Sequence, residues 1–412
     1  SFKAYSGSQI AGTILVTGAG NIDLSQAQNP QSVGEDISYD KTYGQLENVT
    51  IVDSLTIKNK STVTVKGGFN VNEGVTLTIE KGSYLIIDSE AASMVVAGKI
   101  VVEDGAYLTV TKAKDVQVSG SIESEGTVSI ASTVTIKSGG SIVINDNSTT
   151  TGTGKDATTV YNSKFSATKG LTVEAGAELI IKSKVASDTI VTNKGTVTLD
   201  GAVLGGEFNV NMAADKAVVQ VLNVQATGTE KKVTITDAGL KFAKDKYVTK
   251  ANTVTIAVGT NVVKGLTVVE TVSSMTYNGT TTYYNTLDLA GTVSVASTTD
   301  TALSATQNVL SVSGDRIAVT GELTLGKNVT LTVEKEAKLS VTGKLIATEE
   351  NSKVANSGEI TVTGLIQVIG SSATKIADVI NAAMYETKSG TDTIYNYTTL
   401  KAAVDAAAKD IT

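Results

Sequence analysis

The chain has no cysteine, no histidine and no tryptophan, one proline (Pro30) and one arginine (Arg316) among 34 basic residues. Without Cys or His, thiolate zinc sites, haem and iron–sulfur ligation, Cys nucleophiles and Ser-His-Asp triads are excluded, and a disulfide framework with them. A single arginine and a net charge of −7 leave no electrostatic footprint for nucleic acid. No apolar run approaches the ~20 residues needed to cross a bilayer, so no membrane span is expected. Aromatics are only 4% of the chain, so the core has to be aliphatic.

What is present is repetition. Leu77 to Leu85 reads LTIEKGSYL, and the same phrase recurs as IVVEDGAYL from Ile100, VTIKSGGSI from Val134, LTVEAGAEL from Leu171 and LTVEKEAKL from Leu331. Each copy is an alternating strand, a charged tight turn and the start of a second strand. Such a unit has no way to bury its apolar face alone and stacks on its neighbours. Leu77, Ile79, Leu85, Val134, Ile136, Ile142, Leu171, Val173, Leu179, Leu331, Val333 and Leu339 are expected to face inward. A second phrase, GTVSI from Gly126, GTVTL from Gly195, GTVSV from Gly291, GELTL from Gly321 and GEITV from Gly358, puts glycine where a positive φ is expected at a corner. The longer phrase starts at intervals of 23, 34, 37 and 160 residues, which predicts coils of variable length.

The fold class read from these patterns is all-β: an irregular β-solenoid or stacked β-arch repeats, with two short C-terminal helices. The expected organisation is an irregular segment over 1–45, a β-repeat body over 46–370 and a helical segment over 371–412. In the first segment Ile14 to Val16 reads as a short strand, and Ser25 to Asp40 as a long loop. Asn278-Gly279 marks a hairpin. One helix is predicted from Ile376, Val379, Ile380 and Ala383 behind Ser371 and Ser372, a second from Leu400, Ala403, Val404 and Ala407 behind Thr398 and Thr399.

With His and Cys gone, catalysis would fall to carboxylates, and the candidates are Glu80, Glu103, Asp104, Glu123, Glu125, Asp146, Glu174, Glu334 and Glu336. Each is expected at a solvated corner, so no catalytic residue, cofactor or metal is expected. Ile144 to Ser148 (INDNS) lacks the acidic, glycine-phased pattern of a calcium loop. Thr-apolar-Thr triplets such as Thr62 to Thr64, Thr76 to Thr78 and Thr133 to Thr135 superficially resemble ice-binding threonine arrays, but their uneven spacing predicts that they scatter over several faces. Six sequons, Asn48, Asn59, Asn147, Asn278, Asn328 and Asn396, are possible N-glycosylation sites. The chain opens SFKAYSGSQI without an initiating Met, which we read as an exported protein after removal of its signal, or equally as a boundary within a longer chain.

Windows such as VTLTI, YLIID, SIVIN and AVVQVLNV combine high β-propensity, low charge and no proline, the signature of strands that add edge to edge. The phrases VTLTIEKGSYLII and NVTLTVEKEAKLSV resemble, in composition and period, those of the amyloid-like proteins that build the tubular sheath of filamentous methanogenic archaea. Self-assembling surface-layer proteins share the same style. The resemblance implies a non-enzymatic extracellular cell-envelope protein whose partners are copies of itself, with other envelope components or glycans beside them. The alternative is a β-helical carbohydrate-binding adhesin or polysaccharide-degrading enzyme.

Overall fold

The computed structural model describes residues 9–16, 20–23, 45–52, 54–58, 60, 62–152, 158–237, 240–242, 251–259, 261–296, 307–370, 376 and 379–409. Strands make up 63% of it and helix 3%, so the chain is a β-solenoid. It divides into two compact units, Ser1–Gly206 and Glu207–Thr412.

In the first unit the coils over 55–193 lay one strand on each of three faces, whereas the preceding strand Gln45–Ile51 spans the second and third faces by itself. Thr76–Ile79, Tyr84–Ser89 and Met94–Val96 form one coil, and the next begins with Lys99–Val102, parallel to Thr76–Ile79 with Ile100 beside Leu77. The period-two alternation puts every second side chain inward, and in-register stacking lines these up into ladders. On the first face the ladder runs Leu55, Leu77, Ile100, Ile122, Ile142, Leu179 and Val197. On the second it runs Val63, Leu85, Leu108, Val128, Phe165, Val185 and Leu204. On the third it runs Phe69, Met94, Val116, Val134, Leu171 and Val191. None of these side chains is more than 4% exposed, and each contributes roughly 1.5–3 kcal/mol by burial. All twelve residues expected inward are buried.

The coil length explains the uneven spacing of the nine-residue phrase. Leu77, Ile100, Ile122 and Ile142 are consecutive in one ladder and lie 23, 22 and 20 residues apart. The copies from Leu77 and Ile100 turn the corner from first to second face, whereas those from Val134 and Leu171 turn from third to first. The phrase thus marks a type of corner, not a coil. The gap of 37 contains an antiparallel hairpin, Ser148–Thr151 with Thr158–Tyr161, inserted within one coil at the corner between its first-face strand Ser141–Ile144 and its second-face strand Lys164–Ala167.

The corner glycines work differently from expectation. Of the second phrase only Gly291 has a positive φ, 109°. At Gly126 and Gly195 a Cβ would lie 2.4 Å from two carbonyl oxygens of the coil before, so the requirement is close backbone approach. The amide of each is taken up two residues back, by Ser124 Oγ at 3.1 Å and Asn193 Oδ1 at 3.0 Å; Asn356 does the same for Gly358. Gly321 has neither a positive φ nor a close neighbour, and we have no physical account of it. Left-handed backbone sits instead in the longer phrase, at Gly82, Gly105, Gly139, Gly176 and, in the fifth copy, the non-glycine Glu336 at φ 67°.

The 1–45 segment is not uniformly irregular. Gln9–Val16 contains the expected Ile14–Val16 strand and pairs in parallel with Gln45–Ile51, and Gly20–Asp23 pairs with Leu55–Lys58. The expected loop from Ser25 to Asp40 lies outside the described residues.

In the second unit the winding is interrupted. Thr253–Val258 runs antiparallel to both Lys231–Thr236 and Gln307–Ser313. Beside it the long hairpin Val262–Tyr277 and Thr280–Ala296 turns on Asn278 and Gly279 with φ 47° and 74°, as the sequence predicts. Parallel coils then resume with ladders Ile317, Leu339, Ile360, Val379 and Leu323, Leu345, Ile366.

Strands replace the first predicted C-terminal helix. Val379–Ile380 adds a strand to Glu359–Val362, and Ala383–Ser389 forms a hairpin with Asp392–Thr398, which pairs antiparallel with Leu365–Ile369. Ser371 and Ser372 lie outside the described residues. The second helix is present over Leu400–Lys409, with Thr399 Oγ1 accepting from Ala402 N at 3.3 Å. Of its expected apolar face only Ala403 is buried, while Leu400 is 71% and Val404 58% exposed.

Candidate functional site

The chemistry-bearing groups lie on corners and outer faces. Eight of the nine candidate acids sit just after a strand, at corners; Glu123 departs from expectation and points outward from within Ser121–Ser124. Glu80, Glu103 and Glu125 occupy one corner in successive coils, since their amides donate to Ile57, Ile79 and Val102 of the coil before. Lys81 enters this column, its ammonium 2.7 Å from Asp104 Oδ2 and its amide donating to Glu103 Oε2 at 3.4 Å. Asn147 Nδ2 also donates to Asp104, at 2.7 Å, so the INDNS segment is tied to neighbouring corners. Glu174 faces Lys137 at 3.5 Å, and Glu125, Asp146, Glu334 and Glu336 are exposed. No set of three acidic groups suited to a metal ion occurs among the described residues.

The acids instead link coils. Of nine ion pairs among the described residues, eight join consecutive coils, including Lys66–Asp88, Lys99–Glu123 and Lys344–Glu322. Being exposed or partly exposed to solvent, each contributes little to stability. The hydrogen-bonded Lys66 ammonium holds the Asp88 carboxyl below its usual range, and Lys81 does the same for Asp104.

The threonine triplets scatter as the spacing predicts: Thr62–Val65 is on the second face, Thr76–Ile79 on the first and Val134–Ile136 on the third. Among the sequons, Asn278 is exposed at its turn and Asn147 half-buried, whereas Asn328 and Asn396 are 2% and 1% exposed. Asn396 donates to Tyr385 O, Thr387 Oγ1 and Ile394 O and accepts from Gln367, so its amide is a structural tie. Asn48 lies in Gln45–Ile51, and Asn59 is outside the described residues.

The remaining features are strand edges. Among the described residues Gln9–Val16 pairs only with Gln45–Ile51, and Lys353–Asn356 only with Val329–Val333. Gln9–Val16 (QIAGTILV) carries neither charge nor proline, the devices that normally blunt an edge. Ala383–Ser389, by contrast, is an outer strand bearing Glu386 and Lys388. No helix among the described residues is long and apolar enough to cross a membrane.

Sequence reasoning missed one cluster, a buried polar chain in the second unit. Glu270 is fully buried and accepts from Ala214 N at 2.9 Å and from Asn285 Nδ2. Asn252 Nδ2 donates to Asp237 Oδ2 at 2.8 Å and to Asn285 O at 3.1 Å. The signal was available: Glu270 shares its strand phase with the inward Leu266 and Val268, and Asp237 with Val233 and Ile235.

These features define a repeat protein of the β-solenoid class. No protein-family model, curated protein or solved structure matches the chain.

Proposed function

We propose that the chain is a non-enzymatic structural protein that assembles with copies of itself through β-strand edges, into an extracellular cell-envelope layer or tubular sheath. The observation that carries this reading is the edge Gln9–Val16, uncharged, proline-free and paired on one side only among the described residues. A solenoid offers such an edge in register with its own ladders, so an added copy continues the same hydrogen-bond pattern. Backbone ladders that extend from copy to copy add stability cooperatively, as in cross-β stacks. The wall-forming role follows from the resemblance of the repeat phrases to sheath proteins.

Sedimentation and negative-stain electron microscopy of the purified protein test the reading. The wild type is expected to form sheets, tubes or filaments, and Leu15→Pro to stay dispersed, because the parallel register turns the Leu15 amide to the free side and proline removes that edge donor. A protein that remains monomeric at every concentration, or that assembles with side-chain contacts alone, overturns it.

A further inference from the structure

The only arginine of the chain lies in a cleft, and its setting differs from that of the lysines. Arg316 precedes the strand Ile317–Val319, and its backbone amide donates to the buried Asn252 Oδ1 at 2.8 Å. Its guanidinium carbon lies 3.9 Å over the ring of Tyr284. This stacking fixes the side chain toward the strand on one side. On the other side Lys338 leans away, toward Glu359 of the next coil, with a loose contact of 3.8 Å. An open cleft of about 350 Å³ lies along these residues, lined also by the small side chains of Ala318 and Ser340, with Asp315 and Thr361 among its walls.

Eight lysines on the outer faces are paired with an acid of a neighbouring coil, but among the described residues no carboxylate comes within ion-pair distance of Arg316. A guanidinium held over an aromatic ring keeps its planar fork of donors, which matches a carboxylate two oxygens at a time. A chain that uses lysine for every other basic position has placed its one planar cation here.

We propose that this cleft binds a uronic acid unit of a glycan, its carboxylate on Arg316 with Lys338 as the second cation. Three features select this chemistry over other anions. Asp315 and Glu359 stand in the same cleft, so a dianion such as phosphate is repelled about twice as strongly as a singly charged sugar acid. Those carboxylates accept from sugar hydroxyls, and Ser340, Thr286 and Thr361 supply further hydroxyl partners. The cleft is open and shallow, which suits a chain passing over the face better than a deeply enclosed small molecule. This inference does not depend on self-assembly.

The test is titration calorimetry of the full chain with a uronic acid trisaccharide, a neutral glucose trisaccharide, a triglutamate peptide and inorganic phosphate. Binding of the uronide alone is expected, weakening as salt rises. Arg316→Lys keeps the charge and loses the fork, and is expected to weaken binding by about tenfold or more. Ser340→Gln fills the floor from an outward position and is expected to abolish binding with unchanged thermal unfolding. Lys344→Gln, a position outside the cleft, is expected to change nothing. No uronide binding, equal binding of the neutral sugar, peptide or phosphate, or indifference to both cleft variants overturns the proposal.

Discussion

Asn285 donates its side-chain amide to Glu270 across the long hairpin of the second unit, and both residues are buried. The same Asn285 offers its carbonyl to Asn252, which in turn donates to Asp237. The chain of bonds therefore joins the long hairpin to Thr253–Val258, the strand that runs against the parallel winding. A reversed coil interrupts the aliphatic ladders, and polar groups that fit one arrangement only fix its register.

Replacing Glu270 by Ala strands the buried donor Asn285 Nδ2 and the half-buried donor Ala214 N. The expected cost is on the order of 2–5 kcal/mol, seen as a lower denaturant midpoint. Asn285→Ala is expected to cost a similar amount, and the double variant less than the sum, because both changes break one network. Strict additivity would show that the two residues act independently.

The ladders were legible in the sequence because a period of two is visible without knowing the partner strand. Direction was not legible: alternation reads the same in parallel and antiparallel strands, so nothing marked Thr253–Val258 as reversed. Ile376, Val379, Ile380 and Ala383 have helical spacing by coincidence. Their β-branched members suit a strand, and the free side of Glu359–Val362 gave Val379–Ile380 a place to pair. The Arg316 cleft was illegible because Tyr284 and Arg316 are 32 residues apart in sequence and meet only through coil stacking.

The two kinds of glycine are separable by mutation. Gly139 has φ 80° with nothing within 4 Å of where a methyl group would sit, so Gly139→Ala is expected to cost only about 1 kcal/mol of left-handed strain. Gly126→Ala places a carbon 2.4 Å from two carbonyl oxygens and forces the coils apart, so it is expected to cost several times more. Glu336→Gly is expected to stabilise by about 1 kcal/mol, since it relieves a non-glycine φ of 67°. Thermal unfolding of the three variants checks the order, and equal effects at Gly126 and Gly139 would refute the close-approach argument.

Asp88 and Asp104 titrate below their ordinary value of 3.8 in the folded chain, owing first to the hydrogen bonds from Lys66 and Lys81. Their contribution is therefore fully present above the unfolded value and is lost as pH falls through the lower folded one. Lys81 is raised above 10.5 by Asp104, so its side of the pair is lost only as pH rises beyond that value. The double variant Asp88→Asn, Asp104→Asn is expected to flatten the loss of stability below about pH 4. An unchanged acid limb in urea unfolding would assign that limb to other carboxylates.

The C-terminal hairpin and helix set the last prediction. Asp392–Thr398 pairs with Leu365–Ile369 against the parallel sense and buries Tyr395 and Tyr397. Tyr397 is held further by its hydroxyl, which accepts from Ile376 N at 2.9 Å, and burial raises its pKa. An antiparallel strand with a charged outer neighbour closes that face to further parallel coils, as terminal repeats of solenoids do. Deleting residues 383–412 removes this closure and leaves Leu365–Ile369 (LIQVI), with its inward Ile366 and Val368, as an open, uncharged edge. The truncated chain is expected to keep its far-ultraviolet strand signal, because the preceding coils retain their own pairing, and to associate faster and at lower concentration than the full chain by light scattering. Slower association would mean that the hairpin and helix, with exposed Leu400 and Val404, are themselves the contact between copies, and a truncated chain that stays monomeric would show that this edge takes no part in assembly.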